Sequence, residues 1–144
     1  MNYDRETMDI GTHLIFSGQC KEAFELYART LGGTIVGMLT YSETPMASGV
    51  PADWSAKVVH ATLSIGGRKL MGADVLPKDY ERPQGFYVLV NVEPANAKQI
   101  FDALAEGGSV KMALHETFWS PAFGVVVDRF GTPWEINAEV GQKG

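Results

Sequence analysis

The chain predicts an α+β fold built from two βαβββ modules, each with one helix laid across one face of a sheet. Three observations carry this. Apolar residues recur first with a period of two and then with a period of three to four, and that order of segments occurs twice. A glycine pair, Gly32-Gly33 and Gly107-Gly108, ends each helical segment. The closing hairpins align: Met71 follows Gly67 by four residues, as Glu135 follows Gly131 by four.

The elements follow in order. Residues 10–16 (IGTHLIF) read as a strand, apolar and β-branched. From Gln19 to Leu31 the period changes, and Cys20, Phe24, Tyr27 and Leu31, with Ala23, form one face of a helix. Residues 34–41 return to a strand. The polar stretch 42–57, with two prolines, reads as a long loop of the kind that is either a lid or mobile. Residues 58–65 and 68–73 make a hairpin about Gly66-Gly67. Residues 74–85 read as a linker. The second pass gives a strand at 86–92, then a helix opened by Pro94 with Ala97, Ile100, Phe101 and Leu104 on its apolar face. Strands at 109–116, 122–128 and 133–137 complete it. Residues 1–144 therefore read as a single domain, with module one at about 8–75 and module two at about 85–139.

Composition narrows the partners. With 45% apolar and 20% charged residues the chain can bury a core. A net charge of -5 and no basic run argue against nucleic acid, which wants clustered Lys and Arg. One cysteine, Cys20, excludes an intrachain disulfide. No apolar run approaches the ~20 residues that span a bilayer. The opening MNYDRETMDI lacks a signal-peptide core, so a cytoplasmic protein without a membrane partner is expected.

Strand alternation assigns faces. Trp134 and Ile136 share the helix-packed face, which turns Glu135 and Asn137 the other way. Val59, Ala61, Leu63 and Ile65 make an apolar face, leaving His60, Thr62 and Ser64 opposite. A mixture of Glu135, Asn137, His60, Thr62 and Ser64 with apolar walls suits a small-molecule site. Trp54, in the polar loop, is the candidate to close over a ligand. Phe118 and Trp119 lie near loops, where packing explains them equally well. Cys20 reads as core.

These features together resemble the vicinal oxygen chelate superfamily, which includes glyoxalase I, extradiol dioxygenases, and fosfomycin and bleomycin resistance proteins. The residues are Leu26, Tyr27, Gly32 and Gly33 after the first strand, and Asp128, Gly131 and Glu135 at the end. The match is closer to the PhnB-like branch, through Val59-His60-Ala61, Leu70-Met71 with Asp74, Glu116-Thr117 with Trp119, and the run from Asp128 to Asn137. The resemblance implies modules that form a curved, incomplete β-barrel with helices on the outer face, and a homodimer whose modules pair within or between chains.

It also implies a metal site in the superfamily's enzymes at four strand positions, which fall here on Thr12, Met71, Phe86 and Glu135. Of these only Glu135 is a good ligand for a hard divalent ion. A catalytic zinc needs three protein ligands. The expectation is therefore a metal-independent protein that binds a small molecule. Glu135, His60 and Asn137 supply polar contacts, and Met71, Phe86 and Trp54 supply walls. The alternative, a glyoxalase-type lyase, isomerase or dioxygenase, would hold a divalent metal with Glu135, His60 and His13, although alternation with Thr12 turns His13 away. A His60–Glu135 pair that only satisfies two polar groups is also open. Other chemistries lack their signatures. There is no G-x-S-x-G, no G-x-x-x-x-G-K-[ST], and His115-Glu116 does not extend to H-E-x-x-H because Trp119 stands at the fifth place. Some relatives carry a demethylubiquinone methyltransferase label. No glycine-rich nucleotide loop follows a strand here, so that activity is not expected.

Overall fold

In the computed structural model, which describes residues 7–139, the repeat takes the form the periodicity predicts. The first unit holds β1 (Thr12–Phe16), α1 (Cys20–Leu31), β2 (Thr34–Thr40), β3 (Val58–Ile65) and β4 (Arg68–Asp74). The second holds β5 (Val88–Val92), α2 (Pro94–Ala105), β6 (Ser109–His115), β7 (Phe123–Val127) and β8 (Pro133–Ala138). Each unit is a four-stranded sheet, ordered β1-β4-β3-β2 in one and β5-β8-β7-β6 in the other. β1 runs parallel to β4 and β5 parallel to β8, while the remaining pairs are antiparallel. The sheets are open, and the architecture is α+β. Contacts within the chain likewise group into two compact units, one on each sheet.

Each helix forms where an apolar stripe meets a sheet. In α1 the buried residues are Cys20, Ala23, Phe24, Leu26 and Tyr27; in α2 they are Ala97, Phe101 and Leu104. Burying each large apolar side chain contributes about 1.5–3 kcal/mol. Gly32 ends α1 in the left-handed conformation (φ 71°), and its N–H returns to the Ala28 carbonyl. The sheets leave gaps for the helices at glycines. A Cβ at Gly72 would lie 2.7 Å from the Phe24 ring, and one at Gly124 2.5 Å from Phe101.

A buried aspartate anchors each unit. Asp74 accepts hydrogen bonds from the Gly18, Cys20 and Val58 N–H groups at 2.8, 3.0 and 2.9 Å, and the Tyr41 hydroxyl donates to its carbonyl at 2.7 Å. The carboxylate sits at the start of α1, where the helix dipole favours negative charge. Asp128 binds the turn that follows it. It accepts from the Phe130 and Thr132 N–H groups and from the Trp134 indole at 2.9, 3.0 and 2.9 Å. That network holds the turn in which Gly131 takes φ 94°.

Several expectations change. The first strand starts at Thr12, not Ile10, which is exposed. β4 reaches Asp74, so the expected linker begins as a buried anchor and contains a 3-10 turn at Pro77–Asp79. Phe86 and Tyr87 precede β5 and are exposed. The 42–57 stretch is built of 3-10 turns, at Tyr41–Glu43, Pro45–Gly49 and Ala52–Trp54. Thr40 and Glu43 cap the first of these reciprocally. The Ser42 N–H donates to the Ser55 carbonyl at 2.8 Å, closing the loop on itself. Among the described residues no helix is long and apolar enough to cross a membrane. Most of the polar opening segment, residues 1–6, lies outside the described residues.

Candidate functional site

The polar residues the sequence singles out divide between the two sheets, on the faces opposite the helices. In the second sheet the alternation of β8 behaves as expected. Trp134 and Ile136 are fully buried, while Glu135 and Asn137 are half-buried. Register places Leu89 of β5 on one side of Glu135 and Val125 of β7 on the other. The carboxylate thus stands between two aliphatic side chains. Among the described residues no hydrogen bond or ion pair reaches it.

One residue pair along, Asn137 lies between Asn91 and Phe123. Its amide nitrogen donates to the Asn91 Oδ1 at 3.0 Å, and its Oδ1 accepts from the Trp119 indole at 3.2 Å. Trp119 meets Phe123 edge-to-face at 5.3 Å and Phe118 at 4.8 Å. Phe118 is 98% exposed and Trp119 53% exposed, so this aromatic cluster is open to solvent. Sequence reasoning leaves Trp119 open between ligand contact and packing, and does not find Asn91 and Leu89 beside the site. Alternation alone identifies neither, because the β5–β8 register decides which residues flank Glu135.

In the first sheet the corresponding position is Met71, flanked by His13 of β1 and Thr62 of β3. His60 lies two residues before Thr62, its Nε2 3.3 Å from the Thr62 hydroxyl. The His13 and His60 rings are 6.3 Å apart, tilted by 43°. This corrects the expected facing of β1. His13 shares a face with Met71 and His60, whereas Thr12, paired with Leu70, turns to the other side with buried Leu14 and Phe16. β3 is corrected as well. Its register against β2 slips between Leu39 and Thr40, so Val58 is buried and Val59 half-exposed. A bulge of this kind reverses the alternation upstream of it.

Trp54 packs beside Gly18, where a Cβ would lie 3.3 Å from its ring, and the Lys57 ammonium sits 5.8 Å from the ring centre. Lys57 also donates to the Gly18 carbonyl at 3.1 Å. The Trp54 indole N–H is buried, with no hydrogen-bond partner among the described residues. Phe86 lies outside the strands, three residues before Leu89. Cys20 is buried in the core. Burial pushes its thiol well above the ordinary range, and the Asp74 carboxylate adds to this, which leaves the thiol inert.

The donor set does not suit a hard divalent ion. Among the described residues no three His, Cys, Asp or Glu side chains form a group that could hold a metal. Glu135 has aliphatic neighbours, and the two imidazoles share their face with a thioether residue, Met71, and no carboxylate.

Two open four-stranded sheets of βαβββ topology, each backed by a helix, with the closing strand offering its central side chain to the uncovered face, make up the vicinal oxygen chelate fold, shared with the fosfomycin resistance protein FosX of Listeria monocytogenes. Among proteins of that fold the chain belongs to the PhnB-like family: residues 8–137 match the family described as 3-demethylubiquinone-9 3-methyltransferase. It is 34% identical over 139 residues to protein YjdN of Escherichia coli (strain K12), covering 90% of this chain and 95% of that one. The crystal structure of protein PA1353 from Pseudomonas aeruginosa is similar at 44% identity, with a TM-score of 0.84 over 93% of this chain and 99% of that one. A Bacillus cereus PhnB protein, described as a putative 3-demethylubiquinone-9 3-methyltransferase, shares the fold at 24% identity. Its TM-score is 0.78 over 92% and 100% of the two chains.

Proposed function

We propose that this protein binds a small, partly apolar molecule and needs no hard divalent ion to do so. The observation that carries the reading is the second sheet's uncovered face. A half-buried carboxylate with no partner among the described residues stands beside an asparagine fixed by Asn91 and Trp119. Polar groups held in place among apolar walls are what orients a small ligand. Glu135 and Asn137 are the polar contacts there, with Leu89, Val125 and Trp119 as walls. His60 and Met71 serve in the same way on the first sheet, and Trp54 and Phe86 are further walls. Assembly as a homodimer in the cytoplasm belongs to the same proposal.

The methyltransferase description of the family is not adopted as an activity, since the chain has no glycine-rich loop after a strand to hold a nucleotide-bearing methyl donor. The competing reading is a glyoxalase-type metalloenzyme using Glu135, His60 and His13. Metal analysis and native mass spectrometry of protein purified without chelator separate the two. A bound organic molecule, lost or weakened about tenfold or more by Glu135→Gln, is the expected result; one hydrogen bond to a charged group supplies that much. Stoichiometric zinc, nickel, manganese or iron, abolished by the same substitution, would overturn the proposal.

A further inference from the structure

We propose that the uncovered face of the first sheet is a binding site for a soft monovalent metal ion, Cu(I), held by the imidazoles of His13 and His60 and the thioether of Met71. This goes beyond the small-molecule reading and does not rest on it. Three independent strands bring these groups together. β1 sets His13 beside Met71 on β4, and β3 sets Thr62 on the other side of Met71, with His60 two residues away on the same face. Both imidazoles are exposed, so an ion can reach them.

The donor set selects the ion. The two ring centres are 6.3 Å apart, close enough for one ion to reach both imidazoles once the exposed side chains rotate. Two imidazoles and a thioether, with no carboxylate, are a donor set that suits Cu(I) better than zinc. Soft thioether donors favour Cu(I) over hard ions. None of the strand residues on this face is a carboxylate, and Lys69 stands two residues from Met71, so a single positive charge is disfavoured less than a double one. Thr62 completes the arrangement. Its hydroxyl lies 3.3 Å from the His60 Nε2, an outer contact of the kind that orients a ligating histidine.

The test is an anaerobic competition between the whole protein and a chromophoric Cu(I) chelator, under reducing conditions and without added organic ligand. The protein should withdraw one equivalent of Cu(I). Met71→Leu and His60→Gln should each weaken that binding by tenfold or more, while Met112→Leu and His115→Gln on the second sheet leave it unchanged. Should Met71→Leu fail to fold by circular dichroism, His13→Gln, which alters an exposed side chain, reads the same site. Failure to withdraw Cu(I), or withdrawal indifferent to all three first-sheet substitutions, would overturn the inference. Zinc, nickel, manganese and iron are the ions that decide the small-molecule reading, so the two proposals fail separately.

Discussion

The two sheets have one topology and present different chemistry at the same place. Met71 and Glu135 are equivalent, each central on the closing strand of its module. The first has an imidazole and a hydroxyl as strand neighbours, and the second has leucine and valine. The helix-facing sides differ in a complementary way. In the paired positions Ala61 and Gly72 the gap for a helix phenylalanine is on the closing strand; in Gly124 and Ile136 it is on the strand beside it. The gap for the ring therefore moves from one strand to its neighbour, and in each unit a glycine lets the helix phenylalanine pack closely on the sheet. No such constraint holds the uncovered faces together, and they have diverged in polarity. The repeat is a packing repeat, not a repeat of the site.

The anchors give the sharpest way to break this comparison. Asp74 joins segments 16 to 56 residues apart in sequence, whereas Asp128 binds groups two to six residues ahead of it. Asp74→Ala strands three N–H groups, two of them buried, and should cost about 3–5 kcal/mol, with Asp128→Ala nearer about 2–3 kcal/mol. Urea unfolding measures both. An equal or inverted order would show that the two units share one kind of anchor after all.

The exchanged glycines come next. Gly72→Ala and Gly124→Ala should each destabilise by about 1–3 kcal/mol, because the added methyl meets a phenylalanine ring that has little room to retreat. Thermal unfolding of both variants tests the equivalence. If either proves neutral, that helix is not seated on its glycine.

The smallest effect is in pH dependence, and it belongs to the first sheet. Cys20 and Tyr41 have hydroxyl or thiol groups raised above their ordinary values of 9.0 and 10.0, chiefly by burial and secondarily by Asp74. Both are held protonated in the fold, so their contribution is complete below pH 9.0 and declines as the pH climbs past that value, where the unfolded chain gives up its protons first. Stability measured from pH 8 upward should fall, and Cys20→Ala should flatten the slope. An unchanged slope in that variant would remove Cys20 from the account.

Much of this was legible in the sequence. Period and glycine punctuation were enough for the order of strands and helices, since amphipathic faces must be written into the chain. The inward turn of Trp134 and Ile136, and so the outward turn of Glu135, followed from alternation within a single strand. Tertiary structure alone decided what stands beside each residue. Strand neighbours depend on register, and register is set by pairing between distant segments. That is why His13 was assigned to the wrong face, why the β3 bulge moved Val59, and why Leu89 and Asn91 went unnoticed beside Glu135 and Asn137. The sequence by itself determined two modules and a carboxylate on an uncovered face. Only the folded sheets decided that the carboxylate has aliphatic neighbours while the histidines gather around Met71, because hydrogen-bonded register, not residue spacing, brings side chains of separate strands together.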